Sequence, residues 1–88
     1  MQKILIVEDD PHINNLLKEA LEKEGYLCEQ AFSGTEAELL LEKSVPDLIL
    51  LDLMLPGIDG YQVCRELRAS SQVPIIMLSA KGEIFDKV

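Results

Sequence analysis

Short apolar runs alternate with amphipathic segments along the whole chain. Residues 4–7 and 48–51 are continuous aliphatic runs, which are typical of strands buried on both faces of a sheet. Residues 27–32 form a weaker apolar run, and residues 75–78 form another directly after a proline. This pattern predicts four strands.

The segments between these strands have helical periodicity and helix-start signals. Asp10 can cap a first helix, Pro11 suits its first position, and Gly25 ends it. Its apolar face is predicted to contain Ile13, Leu16, Leu17, Ala20 and Leu21.

Two further helices follow the second and third strands. Ser33 and Glu36 match a capping box for the second helix, which ends near residues 45–46. Its inward residues are predicted to be Ala37, Leu40 and Leu41. A turn at residues 56–57 and a cap at Asp59 introduce the third helix, which buries Val63, Cys64 and Leu67.

The alternation of strands and helices predicts an α/β fold. Its sheet should be parallel, with helices on both faces and right-handed crossovers. Ligands of such sheets bind beyond the carboxyl ends of the strands, where strand order reverses. We therefore expect the functional residues at the carboxyl ends of the strands.

Composition narrows the class of protein. The 88 residues suit one small domain, and sixteen acidic against eight basic residues give a net charge of -8, which disfavours direct nucleic-acid binding. Cys28 and Cys64 lack metal spacing and are predicted to be reduced core residues. With no signal peptide and no apolar stretch long enough to span a bilayer, we expect a cytoplasmic protein without membrane contact.

Acidic residues follow two of the predicted strands. Glu8, Asp9 and Asp10 follow the first strand, Asp52 ends the third, and Ser79 ends the fourth. If the first and third strands are neighbours, the carboxylates repel one another, and a hard cation such as Mg²⁺ would relieve that repulsion. A carboxylate there can also act as a nucleophile toward a phosphoryl group.

Two nearby residues are interpreted as structural. Asp10 is interpreted as a helix cap, and the single histidine, His12, as a surface residue.

Three motifs in series, at residues 4–10, 46–60 and 74–81, resemble the receiver domain of bacterial two-component response regulators. The sequences of these motifs are most similar to those of regulators that join a receiver to a winged-helix DNA-binding domain. The resemblance covers residues 1–88 and implies a flavodoxin-like, doubly wound parallel sheet in the order 2-1-3-4-5.

The same resemblance implies roles for individual residues. Asp52 would be the phosphorylated aspartate, and Ser79 would turn its hydroxyl toward the phosphoryl group. Asp9 would bind Mg²⁺ directly, Glu8 would act mainly through a metal-bound water, and the backbone carbonyl of Met54 would complete the protein ligands.

The family also implies partners and missing parts. A sensor histidine kinase would donate the phosphoryl group, and DNA would be bound only through an effector domain absent from this chain. The family's fifth strand carries an essential lysine; the chain ends before it, and Lys81 lies too close to Ser79 to replace it. The fold is thus expected to be incomplete, with four strands, three helices and the start of a fourth helix from Gly82. We expect the fourth strand to be an open edge, so that the chain self-associates or folds loosely.

Two other functions are weighed against this interpretation. A phosphatase with an aspartyl nucleophile would need a second acid at the position of Met54. A degenerate receiver-like module that only binds partners would keep the fold without phosphorylation or Asp52-dependent Mg²⁺ binding.

Overall fold

The computed structural model describes residues 2–52, 60–70, 72–78 and 84–87. The elements in chain order are β1 Lys3–Val7, α1 Pro11–Lys23, β2 Leu27–Ala31, α2 Gly34–Lys43, β3 Leu48–Asp52, α3 Gly60–Ser70, β4 Ile75–Leu78 and β5 Ile84–Lys87. The predicted four strands and three helices are therefore confirmed. The predicted turn at residues 56–57, the cap at Asp59, and Lys81 lie outside the described residues.

The strands form one sheet in the order β2-β1-β3-β4-β5. The first four are parallel, which confirms the predicted crossing of the chain from β2 over β1 to β3. β1 is an interior strand, because Val7 pairs with Ala31 of β2 on one side and with Leu51 of β3 on the other. The carboxyl ends of β1, β2 and β3 therefore lie at one edge of the sheet.

β5 differs from the prediction. Instead of the start of a fourth helix, residues Ile84–Lys87 form a strand that pairs antiparallel with β4, with Leu78 opposite Ile84. Ile84 and Phe85 are strong strand formers, and the short return from β4 lets them satisfy the free backbone groups of its edge. The predicted open edge of β4 is wrong for the same reason. The outermost strand instead contains Asp86 and Lys87, residue types that discourage edge pairing.

The two ends of α1 follow from local sequence. The Asp10 side chain accepts hydrogen bonds from the amides of His12 and Ile13, as predicted for a cap. At the other end, Gly25 has φ +94°, a backbone conformation that glycine adopts without steric cost. Its N–H and that of Tyr26 donate to carbonyls of the last helical turn, which completes a Schellman motif.

The buried face of α1 is only partly the one predicted, because Leu17 and Leu21 face inward whereas Ile13, Leu16 and Ala20 are exposed. Ile13 and Leu16 are 43% and 51% exposed, whereas the polar residue Asn14 is fully buried. Leu17 and Leu21 are half-buried, so the inward stripe runs through positions 14, 17 and 21. The helix is rotated from the expected phase because the carboxamide of Asn14 bonds to the strand ends beneath it.

α2 begins with the predicted capping box, in a slightly different form. The Glu36 N–H donates to Ser33 Oγ at 3.1 Å, as expected. The Glu36 carboxylate accepts from the Phe32 N–H at 3.3 Å rather than from that of Ser33. Ala37 is buried, and Leu40 and Leu41 pack against the core, as predicted.

The main core lies between the sheet and the helices α2 and α3. Its buried members are Leu5, Val7, Ala31, Ala37, Ile49, Leu51, Cys64, Leu67, Val73, Ile75 and Met77. Both cysteines are free, Cys64 in this core and Cys28 half-buried. Burial raises the pKa of the Cys28 thiol above its ordinary value, and the nearby Glu22 carboxylate raises it further.

The opposite face of the sheet is covered unevenly. Ile4 and Ile6 are buried beneath α1. Leu48, Leu50 and Ile76, on the same face of β3 and β4, are only half-buried. This face of the sheet is therefore incompletely covered over β3 and β4.

Candidate functional site

The candidate site lies where β1 and β3 end side by side. Val7 pairs with Leu51, so the next position of each strand places the backbones of Glu8 and Asp52 at the same level. Asp52 is also paired with Leu78, the last residue of β4 and the neighbour of Ser79. The sequence positions predicted to carry the chemistry therefore follow three adjacent strands.

Glu8 is held firmly at this edge. Its residue is 2% exposed. Its N–H donates to the carbonyl of Ala31 at 3.0 Å, and its carboxylate accepts from the Asp10 N–H at 3.1 Å. A carboxylate buried to this degree needs such partners, because an unpaired buried charge is costly.

Asp9 and Asp10 have different surroundings. Asp10 uses one carboxylate oxygen to cap α1, accepting from the His12 N–H at 2.9 Å and the Ile13 N–H at 3.4 Å. Asp9 is half-buried, and its side chain makes no hydrogen bond to any residue that the structure describes. His12 is exposed, as predicted. Asp9 is thus available to a ligand, whereas Asp10 is committed to the helix.

The donor chemistry of this edge suits a hard cation. Glu8 and Asp9 offer carboxylate oxygens, and Mg²⁺ prefers a few such oxygens with its remaining positions taken by water. Among the described side chains, no three acidic, histidine or cysteine residues come together as a metal-binding group. The structure describes the backbone of Asp52 but not its side chain, and Met54 and Ser79 lie outside the described residues.

Asn14 is a member of this region that the sequence pattern did not reveal. Its Nδ2 donates to the carbonyls of Glu8 at 3.0 Å and Ala31 at 3.1 Å, at the ends of β1 and β2. Its Oδ1 has no hydrogen-bond partner among the described residues. The available signal was its spacing from Leu17 and Leu21, which places a polar residue on the inward stripe of α1.

The fold and these strand ends are those of a family of signalling domains. Residues 4–88 match the model of the response regulator receiver domain. The chain belongs to this family, and is therefore the receiver domain of a signalling regulator.

Particular relatives agree along nearly the whole chain. The chain is 47% identical to the probable transcriptional regulator ycf27 of Pyropia yezoensis over 99% of its length. It is 45% identical over its full length to the DNA-binding dual master transcriptional regulator RpaA of Synechocystis. It spans only 36% and 38% of those two relatives, about a third of each.

Solved structures give the same fold. The response regulator TrrA of Thermotoga maritima, in complex with Mg²⁺-BeF, matches with a TM-score of 0.84 and 42% identity, over 91% of this chain and 70% of that one. TrrA in complex with the histidine kinase ThkA matches with a TM-score of 0.86 and 40% identity, over 94% and 72%. The flavodoxin-like receiver fold is thus shown by both sequence and structure.

Proposed function

We propose that this domain accepts a phosphoryl group on Asp52 in a Mg²⁺-dependent reaction. The observation that carries the proposal is the register of β1 and β3, which sets Glu8 and Asp9 beside the strand end that bears Asp52. Receiver-family membership supplies the class of reaction. The Asp10 side chain caps α1. Glu8 and Asp9, which directly follow β1, are therefore the two acids left to bind the metal.

The proposed reaction is a transfer between two residues. A carboxylate oxygen of Asp52 attacks the phosphorus of a phosphohistidine, and the bond from phosphorus to the histidine nitrogen breaks. The product is an acyl phosphate on Asp52, and the nitrogen leaves with its electron pair. The hydroxyl of Ser79 donates a hydrogen bond to a phosphoryl oxygen and so registers its arrival.

Glu8, Asp9, Asp52 and the Met54 carbonyl would hold the metal. Bound there, Mg²⁺ neutralises charge on the phosphoryl oxygens during transfer. Asp9 contributes a carboxylate that is free of other described hydrogen bonds. The buried Glu8 carboxylate accepts a hydrogen bond from the Asp10 N–H and would hold the metal mainly through a water molecule.

The partners follow the same reasoning. TrrA was crystallised with a histidine kinase, and RpaA is a DNA-binding regulator, which supports a sensor histidine kinase as phosphodonor and a DNA-binding effector as output. The net charge of -8 supports a DNA contact made by the effector rather than by this domain. Among the described residues, none of the helices has the length and apolar character of a bilayer-crossing segment. We assign the domain to the cytoplasm, where a kinase of this class would meet it.

The direct test is labelling with a small phosphodonor. Incubation of the complete receiver domain, with the family's lysine-bearing strand included, with acetyl phosphate and Mg²⁺ should add one phosphoryl group that is released by hydroxylamine, as an acyl phosphate is. The 88-residue chain alone should be labelled only weakly, because it lacks that lysine. Intact-mass spectrometry with and without EDTA measures the adduct, and peptide mapping after borohydride trapping locates it. A complete receiver that remains unlabelled, or is labelled at another residue, would favour the degenerate interaction module.

The two acids that follow Glu8 should respond differently to substitution. Asp9→Ala removes a proposed ligand and should weaken Mg²⁺ binding by more than tenfold. Asp10→Ala should largely preserve Mg²⁺ binding but lower the free energy of unfolding by about 0.5–2 kcal/mol, since it removes the cap. Calorimetric Mg²⁺ titration and urea unfolding in EDTA measure the two effects. Equal losses of Mg²⁺ affinity would contradict this division of roles.

Self-association of the 88-residue chain is proposed on a narrower basis than the sequence suggested. Ile13 and Leu16 of α1 are exposed, and Leu48 and Leu50, on the α1 side of the sheet, are only half-buried, so both α1 and β3 offer apolar surface. Burying such surface between two chains is favourable. Sedimentation velocity should show a weight-average mass that rises with concentration, and a constant monomer mass would refute the proposal.

A further inference from the structure

We propose that Asn14 is a positioning residue for the acidic strand edge: its carboxamide fixes the backbone on which Asp9 presents its carboxylate. The proposal rests on the Mg²⁺ site proposed above and adds a residue that the family resemblance did not assign. Asn14 would not contact the metal. It would act through the peptide unit that joins Glu8 to Asp9.

The first observation is the position of the Asn14 side chain. The residue is fully buried, although it lies near the start of α1, whose other residues are exposed or half-buried. Its Nδ2 donates to both the Glu8 carbonyl (3.0 Å) and the Ala31 carbonyl (3.1 Å). One amide group therefore ties α1 to the ends of two neighbouring strands.

The second observation is that Asn14 holds the backbone on both sides of Asp9. The Glu8 carbonyl belongs to the peptide unit that leads into Asp9, and because that unit is planar, fixing its oxygen fixes its orientation. On the far side, the first main-chain hydrogen bond of α1 runs from the Asn14 N–H to the Asp10 carbonyl at 2.9 Å, a bond that alanine or leucine at this position would keep. Asp9 is thus bracketed by two carbonyls that both bind Asn14.

The third observation links this bracket to the strands. The Ala31 carbonyl accepts from Asn14 Nδ2 and also from the Glu8 N–H at 3.0 Å. The N–H and the carbonyl of Glu8 therefore belong to one hydrogen-bond network that includes the end of β2. The Glu8 carboxylate is in turn held by the Asp10 N–H. A shift of the Asn14 amide would be transmitted to Glu8 and Asp9 together.

Packing alone does not account for a carboxamide at this position. Asn14 shares its helix face with Leu17 and Leu21, where leucine would fill the space without polar atoms. The Oδ1 atom is buried without a partner among the described residues, which is a cost of about 1–3 kcal/mol. Against this cost stand the two hydrogen bonds that Nδ2 donates, both to carbonyls at the carboxyl ends of strands.

The test compares Asn14 with its neighbour Asn15. Asn14→Ala removes both donors, and Asn14→Leu removes them while keeping the site filled, so that at least one variant remains folded. Asn15→Ala is the matched control, because Asn15 is an exposed residue of the same type that bonds only to the side chain of Gln30 among the described residues. Circular dichroism establishes folding before each measurement.

Calorimetric titration with Mg²⁺ alone is the first measurement. Both Asn14 variants should bind Mg²⁺ about 10–100-fold more weakly, as is typical when a group that orients metal ligands is removed. Asn15→Ala should stay within about twofold of the parent chain, far below the effect of removing a group that orients metal ligands. Asn14 variants that are less stable to urea but retain the parent's Mg²⁺ affinity would show a purely structural residue and overturn the proposal.

A metal-free measurement separates this proposal from the proposed function. In EDTA, Asn14→Leu should shift the backbone amide resonances of Asp9 and Asp10 and speed hydrogen exchange at the Glu8 amide, whereas Asn15→Ala should not. If the parent chain fails to bind Mg²⁺, the proposed function falls, but these resonances still decide the role of Asn14. Unchanged resonances at residues 8–10 would refute it.

Discussion

Replacing Asp52 with asparagine in the complete receiver domain is expected to abolish phosphoryl labelling while leaving the fold intact. Asparagine has nearly the same shape but lacks the carboxylate oxygen that would form the acyl phosphate. Asp52 ends β3, whose pairing with β1 and β4 uses backbone groups that the substitution retains. Intact-mass spectrometry after acetyl phosphate treatment should show full loss of the adduct.

Asp47, which directly precedes β3, offers a matched control at the opposite end of the strand that bears Asp52. It precedes β3, and its carboxylate accepts from the Lys3 N–H at 2.8 Å, so it lies at the amino-end edge of the sheet. Asp47→Asn removes one negative charge as Asp52→Asn does, and it should leave labelling unchanged. Undiminished labelling of Asp52→Asn would refute the assignment of Asp52. Equal loss in both variants would indicate an effect of charge or stability.

Local signals explain why most of the fold could be predicted. Fully apolar runs marked β1 and β3, and the starts of α1 and α2 were marked by Asp10 and Ser33, whose side chains make the expected caps. The end of α1 at Gly25 was likewise encoded in one residue. Each of these features depends on contacts within a few residues, which a single sequence displays directly.

Features that depend on distant contacts were predicted less well. The phase of α1 was only partly right, because Asn14 turns inward to bond to Ala31, 17 positions along the chain. β5 was missed because its pairing with β4 depends on which strand groups are left free at the sheet edge. Neither cause leaves a periodic pattern in the sequence.

The candidate site combines both kinds of information. The acids at the strand ends, and the choice of Asp10 as the cap among three consecutive acids, could be predicted from position alone. The neighbouring placement of Glu8 and Asp52 required that β1 and β3 pair with each other, an order that the family resemblance implied and that the alternation of elements alone left open. The link from α1 to the ends of β1 and β2 could not be predicted, since it depends on the Asn14 side chain reaching both strand ends.

Ile49→Ala is expected to have the largest effect on stability. Ile49 is fully buried on the interior strand β3, where its backbone pairs with Leu5 on one side and Ile75 on the other. Truncation of such a residue costs about 2–5 kcal/mol, because transfer energy is lost and a cavity remains. A domain of this size has about 4–13 kcal/mol of stability in total, so the loss is a large share of it.

Leu39 provides the comparison that separates burial from residue type. It lies on α2 with 55% of its surface exposed, and alanine is a better helix former than leucine, so Leu39→Ala should change the free energy of unfolding by at most about 0.5 kcal/mol. Urea unfolding followed by circular dichroism measures both variants. A cost of Ile49→Ala no greater than that of Leu39→Ala would mean that the sheet face toward α2 and α3 is not packed as a core. In that case the strand ends that carry Glu8 and Asp52 would lack the rigid support on which the proposed chemistry depends.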